Sequence, residues 1–185
     1  MQTDMWAGTR TGNSEMLDKF IRIIPDFPKP GILFRDITPM LANVDAFQHS
    51  IELMAQRVLK HDAEELVAIE SRGFLFGAAL SRYLGMPLHL VRKPGKLPGT
   101  TLSESYALEY GNDSLEVHTD TIRPGGRYAI VDDLIATGGT AGATCRLIEK
   151  CQGVVACCLF LIELGDCQGR ARLGDYRIES ILYYD

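Results

Sequence analysis

The sequence has no surplus of positive charge: 19 Lys and Arg against 24 Asp and Glu leave its 185 residues at a net −5. A general nucleic-acid-binding or anionic-membrane surface is therefore not expected, although a local basic cluster can still hold a small anion. Long hydrophobic runs are missing too. The longest, Val154 to Ile162, has nine residues, too few to span a bilayer. The stretch MQTDMWAGTRTGNSE contains no apolar segment of the signal-peptide kind. The five cysteines (Cys145, Cys151, Cys157, Cys158, Cys167) make no Cys-x-x-Cys pair, and no histidine spacing suggests zinc. Reduced, mostly buried thiols are expected, which suits a cytoplasmic protein.

What is present is an ordinary globular composition, 46% hydrophobic and 23% charged. One domain over 1–185 is expected, burying roughly 70% of its unfolded surface. Residues 1–13 are polar and read as a loose tail, with an amino-terminal helix and hood over about 14–44. Ser14 can cap a helix over 15–23 that puts Leu17, Phe20, Ile21 and Ile24 on one face. The run Pro25 to Gly31 has three prolines in six residues, which favours an ordered turn. Asp45 is expected to cap a second helix reaching about residue 60, with Phe47, Ile51, Met54 and Val58 at helical spacing.

Beyond it the pattern changes. Short apolar strands at 66–69, 88–91 and 127–131 alternate with helical spacing at 74–84 and 138–151. Val154 to Ile162 reads as a strand buried on both faces. Residues 94–111, rich in Gly, Pro, Thr and Ser, read as loop. Leu115 to Val117 alternates like a strand, 167–173 suits one short helix, and 178–184 a last strand. The alternation predicts an α/β fold with a mostly parallel central sheet flanked by helices.

Ligands of such sheets bind beyond the carboxyl ends of the strands. Three polar turns fall there: Glu70-Ser71-Arg72-Gly73, Arg92-Lys93, and Asp132-Asp133 with Ala136-Thr137-Gly138-Gly139-Thr140. In the last, two glycines let successive N–H groups turn inward at a helix start, and two threonines add hydroxyls. This seats a phosphate without a Walker A lysine or a G-x-G-x-x-G pattern. Read alone, such a turn also serves as a plain strand-to-helix connection. The preceding acids are acceptors only, and a ribose offers two hydroxyl donors. One ligand satisfies both halves, a ribose 5-phosphate. A metal site, or one acid acting as a helix cap, remains open at this point.

The run VDDLIATGGT resembles the phosphoribosyl-pyrophosphate (PRPP) motif of the type I phosphoribosyltransferases. Five further motifs, Phe27-Pro28-Lys29-Pro30-Gly31, Phe34 to Pro39, Glu70 to Phe74, Arg92 to Gly99 and Leu108 to Gly111, are similar in order and spacing to those of the adenine phosphoribosyltransferase branch. The resemblance runs from about residue 15 to the carboxyl terminus. It implies that PRPP and adenine give AMP and pyrophosphate with Mg²⁺, as in purine salvage, in a cytoplasmic homodimer. The metal is bound mainly through PRPP, with no direct protein ligand. Asp132 and Asp133 would hold the ribose hydroxyls, and Ala136, Thr137, Gly138, Gly139 and Thr140 the 5′-phosphate. Ser71 and Arg72, in a turn that often carries a cis non-proline peptide, would meet pyrophosphate together with Arg92, Lys93 and Lys96. Glu109 and Arg72 are the implied catalytic residues, with Glu109 managing the purine proton. Ser105, Tyr106 and Tyr110 belong to the implied mobile loop, and Leu33, Phe34 and Arg35 to the adenine side. Phe27, Phe34 and Phe74 are available for stacking, with core packing expected for at least two. Gly142, early in its helix, is expected to cost up to about 1 kcal/mol against Ala.

Two rivals keep the PRPP motif. One takes a 6-oxopurine or pyrimidine instead of adenine. The other is a PRPP-sensing regulator that binds nucleic acid, which the charge of −5 disfavours.

Overall fold

A computed structural model describes residues 15–107 and 112–185. The chain divides into two compact units, Met1–Ser50 and Ile51–Asp185.

In the first unit, helix α1 (Glu15–Asp18) precedes an antiparallel pair, β1 (Arg22–Pro25) and β2 (Leu33–Asp36), and a one-turn helix α2 (Thr38–Leu41). The helix expected over 15–23 thus stops at Asp18, and a strand pair takes its place. Ile23 and Ile24 are β-branched, and Pro25 lacks the N–H a helix needs. Cross-strand pairing decides the matter. Arg22 lies opposite Asp36, and its Nε and Nη2 donate to Asp36 Oδ2 at 2.9 and 2.5 Å. The proline-rich turn closes as expected: Phe27–Pro28 is cis, and Asp26 Oδ1 accepts the Gly31 N–H at 2.7 Å.

Helix α3 (Val44–Val58) spans the division between the units. Its cap is Asn43, whose Oδ1 accepts the Ala46 N–H at 2.9 Å. The expected cap, Asp45, already lies inside the helix, where its side chain cannot take that N–H. Of the expected face, Ile51, Met54 and Val58 are buried and Phe47 is half-buried.

The second unit is built on a five-stranded parallel sheet. Its strands are β3 (Glu65–Ile69), β4 (Leu88–Val91), β7 (Arg127–Ile135), β8 (Val154–Leu164) and β9 (Ile178–Tyr184), in the order β4-β3-β7-β8-β9. Helix α4 (Gly73–Leu84) joins β3 to β4, α5 (Gly139–Lys150) joins β7 to β8, and α6 (Gly169–Leu173) precedes β9. From β3 the chain moves outward to β4, then returns to build β7, β8 and β9 on the other side. The reversal between β3 and β7 is where such sheets open a crevice for ligands.

An antiparallel ribbon, β5 (Thr101–Ala107) and β6 (Asn112–His118), replaces much of the loop expected over 94–111. Leu102 stands opposite Val117 and Glu104 opposite Leu115. Leu115, Val117 and Tyr106 bury themselves in one cluster with Val67, Ile130, Ile148 and Phe160. Apolar residues alternate along β6, and packing of that face overrides the turn-forming composition nearby. Glu104 ties the ribbon to α5 by accepting from Arg146 Nε at 2.6 Å and Lys150 Nζ at 2.5 Å. The opposite face of the sheet takes α4 so closely that a Cβ on Gly77 would lie 2.6 Å from Ala68 Cβ.

Strand β8 is buried from Ala156 to Glu163, as its continuous apolar run predicts. All five cysteines are free. Among the described residues, no helix is long and apolar enough to cross a membrane.

Candidate active site

The three polar turns converge at the carboxyl end of the sheet. Register explains why. Ile69 pairs with Val91 and Ala68 with Val131, so Glu70 comes level with Arg92, and Asp132 and Asp133 lie just past the last β3–β7 pair. The acids do not follow the strand, as expected from an end at residue 131. Strand β7 continues to Ile135, held by β8 alone through the pairs Asp132↔Phe160 and Leu134↔Ile162.

Alternation along a strand makes the two acids inequivalent. Asp132 lines a cavity of about 200 Å³ whose other walls are Leu134, Ile135, Phe160 and the whole turn Ala136 to Ala141. Asp133 is 4% exposed, and its Oδ2 forms an ion pair with Arg72 Nε at 3.0 Å. Burial pushes the Asp132 carboxyl well above its ordinary range, and the charge of Asp133 adds to the shift. Burial raises Asp133 as well, against the pull of Arg72.

The turn that closes the cavity is built on a left-handed glycine at a helix start. Gly138 adopts φ +77°, a left-handed conformation that L side chains rarely take, and caps α5. The first intrahelical bond of α5 is Gly142 N–H to Gly138 O at 2.9 Å. The N–H groups of Gly139, Thr140 and Ala141 therefore lie at a helix start whose first turn has no acidic residue. Gly142 is buried, and a Cβ there would meet Leu173 Cδ2 at 3.4 Å.

At the neighbouring turn, the Glu70–Ser71 peptide is cis, as the resemblance implies for this segment. Helix α4 begins directly after it, with Gly73 pressed onto β7: a Cβ there would lie 2.8 Å from Val131 O and 2.9 Å from Asp132 Oδ1.

The cations are held in carboxylate networks. Glu70 accepts from Lys96 Nζ at 2.6 Å, from the Lys93 N–H at 2.9 Å, and from Arg92 Nε and Nη2 at 3.3 Å. Burial works to raise the Glu70 carboxyl, but these donors outweigh it and bring it down to about 2. Arg92 also lies over the Phe74 ring, 5.9 Å from its centroid. Lys93 pairs with Asp113 and donates to Tyr106 Oη at 3.1 Å. Tyr106 Oη donates to Asp113 Oδ2 at 3.0 Å and accepts from Thr140 Oγ1 at 3.3 Å. One network thus links the segment after β4, the ribbon and the 136–141 turn.

Leu33, Phe34 and Arg35 all lie on β2, with Leu33 54% exposed and Phe34 edge-on to Phe27 at 5.1 Å. The expectation that two of Phe27, Phe34 and Phe74 pack in the core is not met. Phe27 is exposed and the other two are half-buried, while the buried phenylalanines are Phe76 and Phe160. The polar proline-rich turn keeps Phe27 at the surface. Ser105 is exposed and Tyr106 buried, as alternation on β5 requires. Glu109 and Tyr110, and the tail over 1–13, lie outside the described residues.

Two residues here carry no local sequence signal. Asp113 reaches Lys93 only because the ribbon register sets it opposite Tyr106, and Phe160 reads in the sequence as core.

The crevice of the parallel sheet thus sets an acid beside a glycine-capped helix start. The family model for the phosphoribosyl transferase domain matches residues 39–184. The chain is 54% identical over 167 residues to an adenine phosphoribosyltransferase of Desulfitobacterium hafniense, covering 90% of this chain and 96% of that one. The crystal structure of adenine phosphoribosyltransferase from Thermoanaerobacter pseudethanolicus superposes with a TM-score of 0.90 at 49% identity, over 92% of this chain and 99% of that one. The Saccharomyces cerevisiae enzyme, complexed with D-2,5-dideoxy-2,5-imino-altritol 1,6-bisphosphate and adenine, gives 0.88 at 35% identity over 92% and 98%. The chain belongs to the phosphoribosyltransferase family, in its adenine phosphoribosyltransferase branch.

Proposed function

We propose that the chain transfers the 5-phosphoribosyl group of PRPP to N9 of adenine, releasing AMP and pyrophosphate, and that the crevice between β3 and β7 carries the chemistry. The observation that supports this most directly is the cavity shared by Asp132 and the Ala136–Ala141 turn. The 5′-phosphate sits on the helix start and Thr137, and Asp132 and Asp133 take the ribose hydroxyls, Asp132 from the cavity wall. Arg72, with Ser71 beside it and with Arg92, Lys93 and Lys96, meets the leaving pyrophosphate. Arg72 and Glu109 are the catalytic residues. Preorganised cations and dipoles of this kind act on charge that develops in the transition state.

The carboxylate oxygens of Asp132 and Asp133 are hard donors that suit a hydrated Mg²⁺ brought in with PRPP, an ion that keeps several waters. Mg²⁺, when bound, neutralises the charge of the departing pyrophosphate. The β2 segment Leu33 to Arg35 reads the adenine edge through main-chain groups. A homodimer in the cytoplasm fits the family. The exposed Leu75 and Tyr83 of α4 and Leu90 of the edge strand β4 suit its interface, and sedimentation at the 20.5 kDa monomer mass would refute it.

One assay tests the base. PRPP consumption is measured with adenine, hypoxanthine, guanine and uracil separately, and turnover is expected with adenine alone. Thr137→Val keeps the shape and removes one phosphate donor, so KM for PRPP should rise about tenfold with kcat little changed. Glu109→Gln should lower kcat by about 10²-fold, the scale of general acid–base assistance. An unchanged kcat takes Glu109 out of the mechanism.

A further inference from the structure

The phosphate turn does not stand alone. It rests on a segment about thirty residues downstream that no motif marks. A Cβ on Gly169 would lie 2.1 Å from Ala136 O, 2.8 Å from Ile135 Cγ1 and 3.1 Å from Ala136 C. From the other side, a Cβ on Gly138 would lie 2.8 Å from Gly169 O. Two glycines therefore meet backbone to backbone. Ile135 Cγ1 is the one side-chain atom in the way; the nearest obstruction, Ala136 O, and the Gly169 carbonyl that faces Gly138 are main-chain, so no side-chain movement alone relieves the contact. Gly169 does not have a positive φ, so its conformation would accept alanine; only the contact with the turn forbids it.

The segment is itself clamped. Arg170 Nε and Nη2 donate to Glu163 Oε1 and Oε2 at 2.8 and 2.7 Å, and Nη1 donates to Ile178 O at 2.9 Å. Glu163 is buried and is the β8 partner of Ile135, the residue from which the phosphate turn departs. Ser180 Oγ donates to Glu163 Oε2 at 2.6 Å, fixing that carboxylate from β9. One helical turn on, Leu173 lies against Gly142 of α5. The phosphate turn is thus held on one side by β7 and α5 and on the other by residues 169–173, which are anchored to the same end of the sheet.

We propose that Gly169 is a positioning residue for PRPP, with Arg170 as its anchor: it sets the height of the Ala136–Gly138 backbone and so the aim of the N–H groups that receive the 5′-phosphate. The inference rests on the reading that this turn holds the phosphate. A methyl group at residue 169 must displace the Ala136 carbonyl by the better part of an ångström, and misplacement on that scale costs about 10²-fold in enzymes that act by positioning.

The test is steady-state kinetics on the full chain with three variants. Gly169→Ala should raise KM for PRPP at least about tenfold, on the positioning scale just given, and leave KM for adenine unchanged. Gly165→Ala adds the same methyl in the same segment, but against the Tyr183 ring, an exposed side chain that can swing aside. It should leave both constants unchanged. Arg170→Lys keeps the charge and loses the two-pronged grip, so it should raise KM for PRPP about threefold, the scale of one net hydrogen bond. The proposal is overturned if Gly169→Ala leaves KM for PRPP within twofold of the parent, or if KM for adenine rises in parallel. It is also overturned if Gly165→Ala matches the effect. Should Gly169→Ala not yield folded protein, Arg170→Lys decides, and an unchanged PRPP constant overturns the proposal. Thr137→Val separates the two levels: if it raises KM for PRPP while Gly169→Ala does not, the brace fails and the phosphate seat stands. If Thr137→Val is silent, the seat itself fails.

Discussion

Asp132→Asn is expected to lower kcat/KM for PRPP by about 10²-fold and, at the same time, to raise the thermal midpoint of the ligand-free protein. The loss follows from chemistry: Asn keeps one acceptor but replaces the other with an N–H₂ that faces a hydroxyl donor. A hydrogen bond to a charged acceptor contributes about 1.5–3 kcal/mol, and 1.4 kcal/mol is a tenfold change. The gain in stability follows from the acid pair. Burial, and then the charge of Asp133, raise the Asp132 carboxyl above the ordinary 3.8. A folded-state value above the unfolded one means the native state binds the proton more tightly. That contribution is full below pH 3.8 and is lost as pH rises through the folded value. At neutral pH this buried acid therefore opposes folding, and Asn removes it while its Oδ1 still accepts the Asp133 N–H, a 2.9 Å bond in the parent. Melting curves between pH 5 and 8, about three units around neutrality, check the sign. The gap between variant and parent should widen with pH, and a lower midpoint at pH 8 would refute the account.

Arg72→Gln should cost about 10²–10³-fold in kcat/KM for PRPP, the range found when one preorganised donor to developing charge is removed. It carries a second signature. Arg72 is the main influence that pulls the Asp133 carboxyl down against burial. Without it, Asp133 takes up its proton at higher pH, so the acid limb of the kcat/KM profile should move toward neutrality, because that profile reports groups of the free enzyme. A profile that falls in height without moving would leave Arg72 as a pyrophosphate ligand only, not the counter-charge of Asp133.

The parts of the site that were legible in the sequence are those in which the chemistry is contiguous. VDDLIATGGT contains its acceptors, its glycines and its helix start within ten residues. Strand-to-helix alternation placed Glu70, Arg92 and Asp132 at one sheet edge, because parallel strands joined by helices align their carboxyl ends. Nearest-neighbour reading failed where a partner distant in sequence outweighed local preference. Arg22 to Pro25 is a strand because Asp36 lies across from it. Thr101 to Ala107 is a strand because β6 buries Leu115 and Val117 against the sheet. Asn43 displaced Asp45 as a cap because capping depends on which residue precedes the first helical N–H, by one position, and spacing does not resolve that.

The class of fold, the VDDLIATGGT motif, the cations Arg72, Arg92, Lys93 and Lys96 at the sheet edge and the resemblance to the adenine branch were all readable from residue order, since each is written in short runs whose geometry is local. How those groups are arranged came from packing between distant segments. It divided the acid pair between a cavity wall and an ion pair with Arg72, because a strand sends successive side chains to opposite faces. It gathered Lys96 and Arg92 on Glu70, and Lys93 on Asp113 and Tyr106. It set Gly169 against Ala136, a contact between main chains that meet only once β8 and β9 have brought residue 169 back over the sheet. Such contacts depend on register and packing between distant segments, and no run of adjacent residues encodes them.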